Sequence, residues 1–180
     1  MDYKLIPTNI AGCFLIKHPV FRDNRGAFHK IFNKSLHKEN GLETFFTEEY
    51  YSISAHNVIR GMHFQLPPRE HVKIVKCITG KILDVVIDLR KNSETYLKRV
   101  EVELSSDDGQ YLYIPKGCAH GFLSQCDDTV VLYKTSTEYD PLSDTGVAYD
   151  SIGFNWGVEN PIISKRDEGF KALIDFESPF

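Results

Sequence analysis

Cysteine is scarce: Cys13, Cys77, Cys118 and Cys126 are the only four in 180 residues, and no pair has C-x-x-C or zinc-finger spacing. They read as reduced thiols of a cytoplasmic protein rather than as a disulfide frame or a zinc module. No uninterrupted apolar run approaches the roughly 20 residues of a membrane-spanning helix. The opening stretch, MDYKLIPTNIAG, lacks the basic-then-apolar pattern of a signal peptide. Basic tracts are missing too. With 21 Lys and Arg against 25 Asp and Glu, the formal net charge is −4, which sets general nucleic-acid binding aside. There is no linker, internal repeat or low-complexity stretch, so one domain is expected over residues 1–180. A chain of this size buries roughly 70% of its unfolded surface. A content of 42% hydrophobic and 12% aromatic residues argues against disorder.

What is present is period two. Val100, Val102 and Leu104 alternate with Glu101 and Glu103, as in a strand with one buried face. In Lys81–Leu89, the residues Leu83, Val85, Ile87 and Leu89 share a face and leave Asp84 and Asp88 on the other. Val72–Ile78, Tyr111–Ile114 and Val130–Thr137 are further β-branched or aromatic runs. Turn signals separate them at Pro67-Pro68, Gly80, Asp107-Asp108-Gly109 and Pro115-Lys116-Gly117. Helices are expected only at Ser35–Asn40 and Ser164–Leu173. The fold class is therefore all-β, a sandwich or barrel, with the jelly roll as the form that closes a cavity lined by alternate residues.

Four places carry chemistry. In NVIRGMHFQLPPREHVK, Arg60 and His63 sit among apolar residues, where charge must find a partner or a ligand. The competing reading is a solvated charged loop. Lys73 shares parity with Val75 and Cys77 and points inward, leaving Lys76 on the other face. In IPKGCAHGF, His120 follows a Pro-x-Gly turn at the mouth of the barrel. Tyr133 shares parity with Val131 and Thr135, and its ring turns inward, either as core or as a site residue. Asp167 closes the capping box Ser164-Lys165-Arg166-Asp167, and from that motif alone it caps a helix.

In order along the chain, these segments resemble the dTDP-4-dehydrorhamnose 3,5-epimerase family, jelly-roll (cupin-like) enzymes of nucleotide-sugar metabolism. The resemblance runs through Phe21-Arg22-Asp23-Asn24-Arg25-Gly26, Ile59-Arg60-Gly61-Met62-His63-Phe64-Gln65, Pro67-Pro68, Lys73 and Asp84–Arg90. It continues through Ile114–Phe122 and Tyr133-Lys134-Thr135, and ends at Asn160–Asp167. It implies a nucleotide-diphosphate 4-keto-6-deoxyhexose substrate of the dTDP-4-dehydro-6-deoxyglucose type. Inversion at C3, C5 or both would proceed through an enolate with no metal or nicotinamide, since there is no net redox change.

By that resemblance His63 is the base, Asp167 orients it, Lys73 meets the enolate oxygen and Tyr133 returns a proton. Arg60, Gln65 and His120 match positions that contact the substrate, and Arg25 and Arg166 suit the diphosphate. A homodimer is implied as well, and the Phe45-Phe46 and Tyr50-Tyr51 stretches are compatible with one. The basic groups are expected to converge on one cavity, with the acidic residues mostly outside it.

Two departures fall where the family grips the nucleotide. Lys30 replaces an acidic residue, and Glu48-Glu49-Tyr50 stands where many members read Gln-Asp-Asn. Glu48 or Glu49 is thereby expected to accept from donor-bearing base edges, which opens CDP or GDP as the carrier. A metal-dependent cupin oxygenase or isomerase is the first rival, with His63, Glu70 and His120 in ligand positions but Gln65 where a second histidine belongs. A non-catalytic sugar-nucleotide-binding domain is the second, and it would not need Lys73, Tyr133 and Asp167 together.

Overall fold

Val100, Val102 and Leu104 turn inward against one apolar core, while Glu101 and Glu103 face solvent, and the same alternation organises most of the chain. The computed structural model describes residues 3–180; Met1 and Asp2, where the N-terminal stretch and the expected domain begin, lie outside it. Strands are numbered in chain order. One sheet runs β1 (Lys4–Pro7), β2 (Phe14–Lys17), β10 (Gln110–Ile114), β7 (Lys73–Thr79), β12 (Thr129–Thr135), β5 (Glu48–Ser54). The other runs β13 (Asp144–Gly146), β6 (Ile59–Gln65), β11 (Cys118–Ser124), β8 (Lys81–Asp88), β9 (Arg99–Ser105). β3 (Val20–Asp23) and β4 (Gly26–His29) pair only with each other, as a hairpin. The two large sheets face each other in a jelly-roll sandwich, with Val75, Cys77, Leu112, Val131, Ile82, Val86 and Phe122 between them.

The expected first helix forms as α1 (Lys34–Glu39), capped by the Asn33 side chain. The second is one turn, α2 (Lys165–Glu168), rather than a helix to Leu173. Gly169 ends it. Phe170 then folds back against the His63 ring, with centroids 5.7 Å apart, a contact that a continuing helix would break.

The face assignment in β8 holds, but the side that faces inward is the opposite of what composition suggests. Leu83, Val85, Ile87 and Leu89 point away from the sandwich and are covered by Val147, Ile152, Trp156 and the last residues of the chain. Asp84 and Asp88 point into the interior and are fully buried. Acidic residues are thus not confined to the exterior. Lys76 does lie on the other face from Lys73, yet it too is buried, donating to the carbonyls of Ser105 and Asp108.

One irregularity positions the site. Strict alternation would put Arg60 and His63, three residues apart, on opposite faces. In β6, however, His63 pairs with His120 while Arg60 pairs with Phe122, so three steps on β6 match two on β11. This β-bulge turns both Arg60 and His63 inward. It is housed by two glycines in close approach. A Cβ on Gly61 would lie 2.5 Å from Cα of Gly121, and one on Gly121 would lie 2.7 Å from Sδ of Met62 and 2.9 Å from the Arg60 carbonyl. Gly121→Ala is therefore expected to destabilise the fold by about 1–3 kcal/mol, measured by denaturant unfolding.

Candidate active site

A cavity of about 320 Å³ opens at one end of the sandwich, within the range of small-molecule sites. The five-stranded sheet contributes Arg60, His63 and Gln65 from β6, His120 from β11 and Asp144 from β13. The six-stranded sheet contributes Glu48, Tyr50 and Ser52 from β5, Lys73 from β7, and Tyr133 and Thr135 from β12. His63 and Tyr133 therefore stand on opposite walls.

Asp167 does not act as the box acid. Ser164 caps α2 by accepting from the Asp167 amide, 3.1 Å. The Asp167 carboxylate accepts from His63 Nε2 at 2.9 Å and from the Gly61 amide at 3.2 Å. Burial alone would raise this carboxyl, but those hydrogen bonds and the His63 charge hold it below the ordinary carboxylate value. An ionised carboxylate only accepts, so Nε2 carries the hydrogen of this bond and Nδ1 is the nitrogen left to exchange a proton.

Lys73 is 7% exposed and forms no ion pair with any described residue. Burial pulls its ammonium down to about 8, against the opposing pull of Asp84 and Asp144. Its chain meets the cavity beside the buried pair His120–Asp84, Nε2 to Oδ2 3.0 Å. Burial also lowers His120, with Asp84 opposing and Lys73 and His63 adding to the shift. Tyr133 is pushed well up by burial. Its hydroxyl lies 3.2 Å from Ser52 Oγ and its ring stacks on Tyr50, centroids 4.9 Å apart.

The remaining expected residues separate. Arg60 reaches across to β5, donating to Ser54 Oγ and the Ile53 carbonyl. Arg166 lines the cavity but pairs with Asp144 at 2.8 Å. Gln65 lines it too, yet its amide is engaged with the Arg69 and Glu138 carbonyls and the Asp140 amide. Arg25 is not brought in: at the tip of the hairpin it is 85% exposed and paired with Asp23. Glu49 faces outward, paired with Lys134, so of the two glutamates only Glu48 enters the cavity, and Lys30 does not. His63 and His120 each spend a ring nitrogen on a carboxylate, and no three potential metal ligands gather among the described residues. Asp84, Tyr50, Ser52, Asp144 and Tyr139 were not singled out as site residues. For Asp84 the signal was available, since an acid in a strand this apolar must find a partner.

The fold and cavity define a class: a jelly-roll, cupin-like enzyme whose cavity sets the His63 imidazole and the Tyr133 phenol on facing walls. A family model described as dTDP-4-dehydrorhamnose 3,5-epimerase matches residues 7–175, and the chain belongs to that family. The dTDP-4-dehydrorhamnose 3,5-epimerase of Methanothermobacter thermautotrophicus is 40% identical, over 96% of this chain and 95% of that one. The crystal structure of the Bacillus anthracis enzyme of that name, with TDP and pyrophosphate bound, is similar at a TM-score of 0.92 and 35% identity. It covers 96% of this chain and 100% of the other. A Legionella pneumophila dTDP-6-deoxy-D-glucose-3,5-epimerase in complex with dTDP-4-keto-L-rhamnose matches at a TM-score of 0.92 and 28% identity, covering 98% and 95%.

Proposed function

We propose that the protein epimerises a nucleotide-linked 4-keto-6-deoxyhexose of the dTDP-4-dehydro-6-deoxyglucose type, at C3, C5 or both. The observation that carries this is the opposition of His63, backed by Asp167, to Tyr133 across a cavity floored by Lys73. A ketone acidifies the hydrogens on both neighbouring carbons. His63 Nδ1 takes one of them, and the C–H electron pair moves into the carbonyl to leave an enolate. The Lys73 ammonium meets that oxygen, and Tyr133 delivers a proton to the opposite face of the carbon. His63 then releases its proton to solvent and the Tyr133 phenolate takes one back, so the cycle closes without any change of oxidation state.

Incubation of the dTDP-linked 4-keto sugar in D₂O, followed by NMR at C3 and C5, tests both the activity and the carbon inverted. Deuterium is expected at one or both, and its absence from both overturns the reading. Tyr133→Phe is expected to slow inversion by about 10²-fold or more while the His63 face still exchanges hydrogen. Equal loss of exchange and inversion would remove Tyr133 from the role of acid.

We read the chain as one domain and the active form as a homodimer. Phe21 and Phe28 on the hairpin, and Tyr51 and Ile53 on β5, are exposed, and Arg25, expected at the diphosphate, stands on that hairpin outside the cavity of its own chain. Sedimentation is expected to report twice the 20.6 kDa chain mass; a monomer at working concentration overturns the dimer. A cytoplasmic location fits the four unpaired cysteines, and no helix among the described residues is long and apolar enough to cross a membrane.

A further inference from the structure

Glu48 sits at a position expected to read the nucleotide, but the sheet places it in one row with Lys73, the group assigned to the ketone, two strands away. In the six-stranded sheet Thr135 pairs with Lys73 on one side and with Glu48 on the other. Directly opposed residues of neighbouring antiparallel strands point to the same face. Lys73, Thr135 and Glu48 therefore form one transverse row along the cavity wall, at the strand spacing of about 4.8 Å.

Two features of that row lack a purpose within the protein. The Thr135 hydroxyl is buried, its residue 1% exposed, and it has no hydrogen-bond partner among the described residues, although such groups are nearly always satisfied. Glu48 is held in place because its Oε2 accepts from the Tyr139 amide, 2.9 Å. Its other oxygen has no partner among the described residues and belongs to a side chain that lines the cavity. A carboxylate only accepts, so the group it suits is a donor, such as a hydroxyl.

We propose that Thr135 and Glu48 form a hydroxyl-reading subsite that selects sugars carrying free hydroxyls on the C3 side of the ketone. This rests on the epimerase reading above. With the ketone oxygen at Lys73, the next oxygens along that edge of the pyranose are those on C3 and C2, in the order of Thr135 and Glu48. The 3-hydroxyl pairs with Thr135 and the 2-hydroxyl donates to Glu48. The departure at position 48 is thereby a sugar determinant, and the nucleotide is read elsewhere. A site built to bond a hydroxyl rejects the analogue lacking it, because its own polar groups are then left unpaired.

The test compares kcat/KM for the 4-keto sugar nucleotide with that for its 2-deoxy and 3-deoxy counterparts. The enzymes are the wild type, Glu48→Leu, Thr135→Val and Thr135→Ser, with deuterium uptake at C3 and C5 as a second readout. The wild type is expected to disfavour each deoxy sugar by about 10²-fold. Glu48→Leu, which removes the acceptor, should lose most of the discrimination against the 2-deoxy sugar only, and Thr135→Val that against the 3-deoxy sugar only. Thr135→Ser, which keeps the hydroxyl, should retain it. Wild-type enzyme that accepts the deoxy sugars equally well overturns the subsite. So do variants that lose the same factor on all three sugars while still exchanging deuterium. Failure of wild-type enzyme to exchange deuterium into any of them strikes the epimerase reading instead, so the two failures are distinguishable.

Discussion

His63→Ala is expected to lower kcat on the 4-keto sugar nucleotide by about 10²–10⁴-fold, with deuterium uptake from D₂O falling in step. The loss falls on chemistry rather than folding because of where the ring sits. The His63 side chain is 27% exposed, so its truncation opens onto the cavity instead of leaving a sealed void. Asp167 keeps one partner, the Gly61 amide, and the Ser164 cap of α2 does not involve the imidazole. The carboxylate does lose the group that helped hold it ionised, so its pKa should rise toward the ordinary range or beyond. Part of the stability that the depressed pKa contributes at neutral pH is therefore lost, so the unfolding midpoint should fall modestly while the fold is kept and kcat falls far more. Exchange at a wild-type rate would remove His63 from the role of base.

Lys73→Met is expected to cost about 10²–10³ in kcat and to raise stability at the same time. A buried ammonium without an ion pair is costly to the fold, and an apolar chain of similar length removes that cost. Rate and unfolding midpoint should thus move in opposite directions, which a merely structural lysine would not produce. The pH profile adds a second signature. A base with a depressed pKa loses its proton early: as pH rises through about 8, the value burial imposes on Lys73, the cation that meets the enolate disappears. The alkaline limb of kcat/KM should accordingly fall near 8 rather than near the usual lysine value of about 10.4. Lys73→Arg, which stays charged, should carry that limb to higher pH even with reduced rate. An alkaline limb unmoved in Lys73→Arg assigns it to another group.

The strands were legible because each buries one face and the chain alternates accordingly. Lys73, Tyr133 and Thr135 could be turned inward from parity alone. Parity failed at Arg60 and His63, whose spacing of three is wrong for one face until a bulge inserts a residue, and the one local sign of it in Ile59–Gln65 is Gly61, an isolated glycine in a strand. Composition also misplaces Asp84: an acid is sorted to the surface unless its partner is known, and His120 lies 36 residues away. The His63–Asp167 pair spans 104 residues. The nearer signal at Ser164–Asp167 pointed to a cap, and only the resemblance joined the two ends. The short α2 escaped periodicity because a tertiary contact, Phe170 on His63, overrides the helical pattern. Arg25 shows a different limit, since an arginine motif does not say whether its ligand is bound by the same copy of the chain.

The close approach of Gly61 and Gly121 also constrains which sequence changes the site can tolerate. When two packed side chains clash, a substitution at one can be rescued by shrinking the other. Here neither residue has anything left to remove, so no second-site change within the pair can suppress a substitution at either. Relief must come from trimming the neighbouring Met62 side chain or from separating β6 and β11, the two strands whose pairing sets His63 beside His120. A genetic screen for suppressors of Gly121→Ala should therefore return changes at Met62, whose sulfur is one of the crowded atoms, and none at position 61.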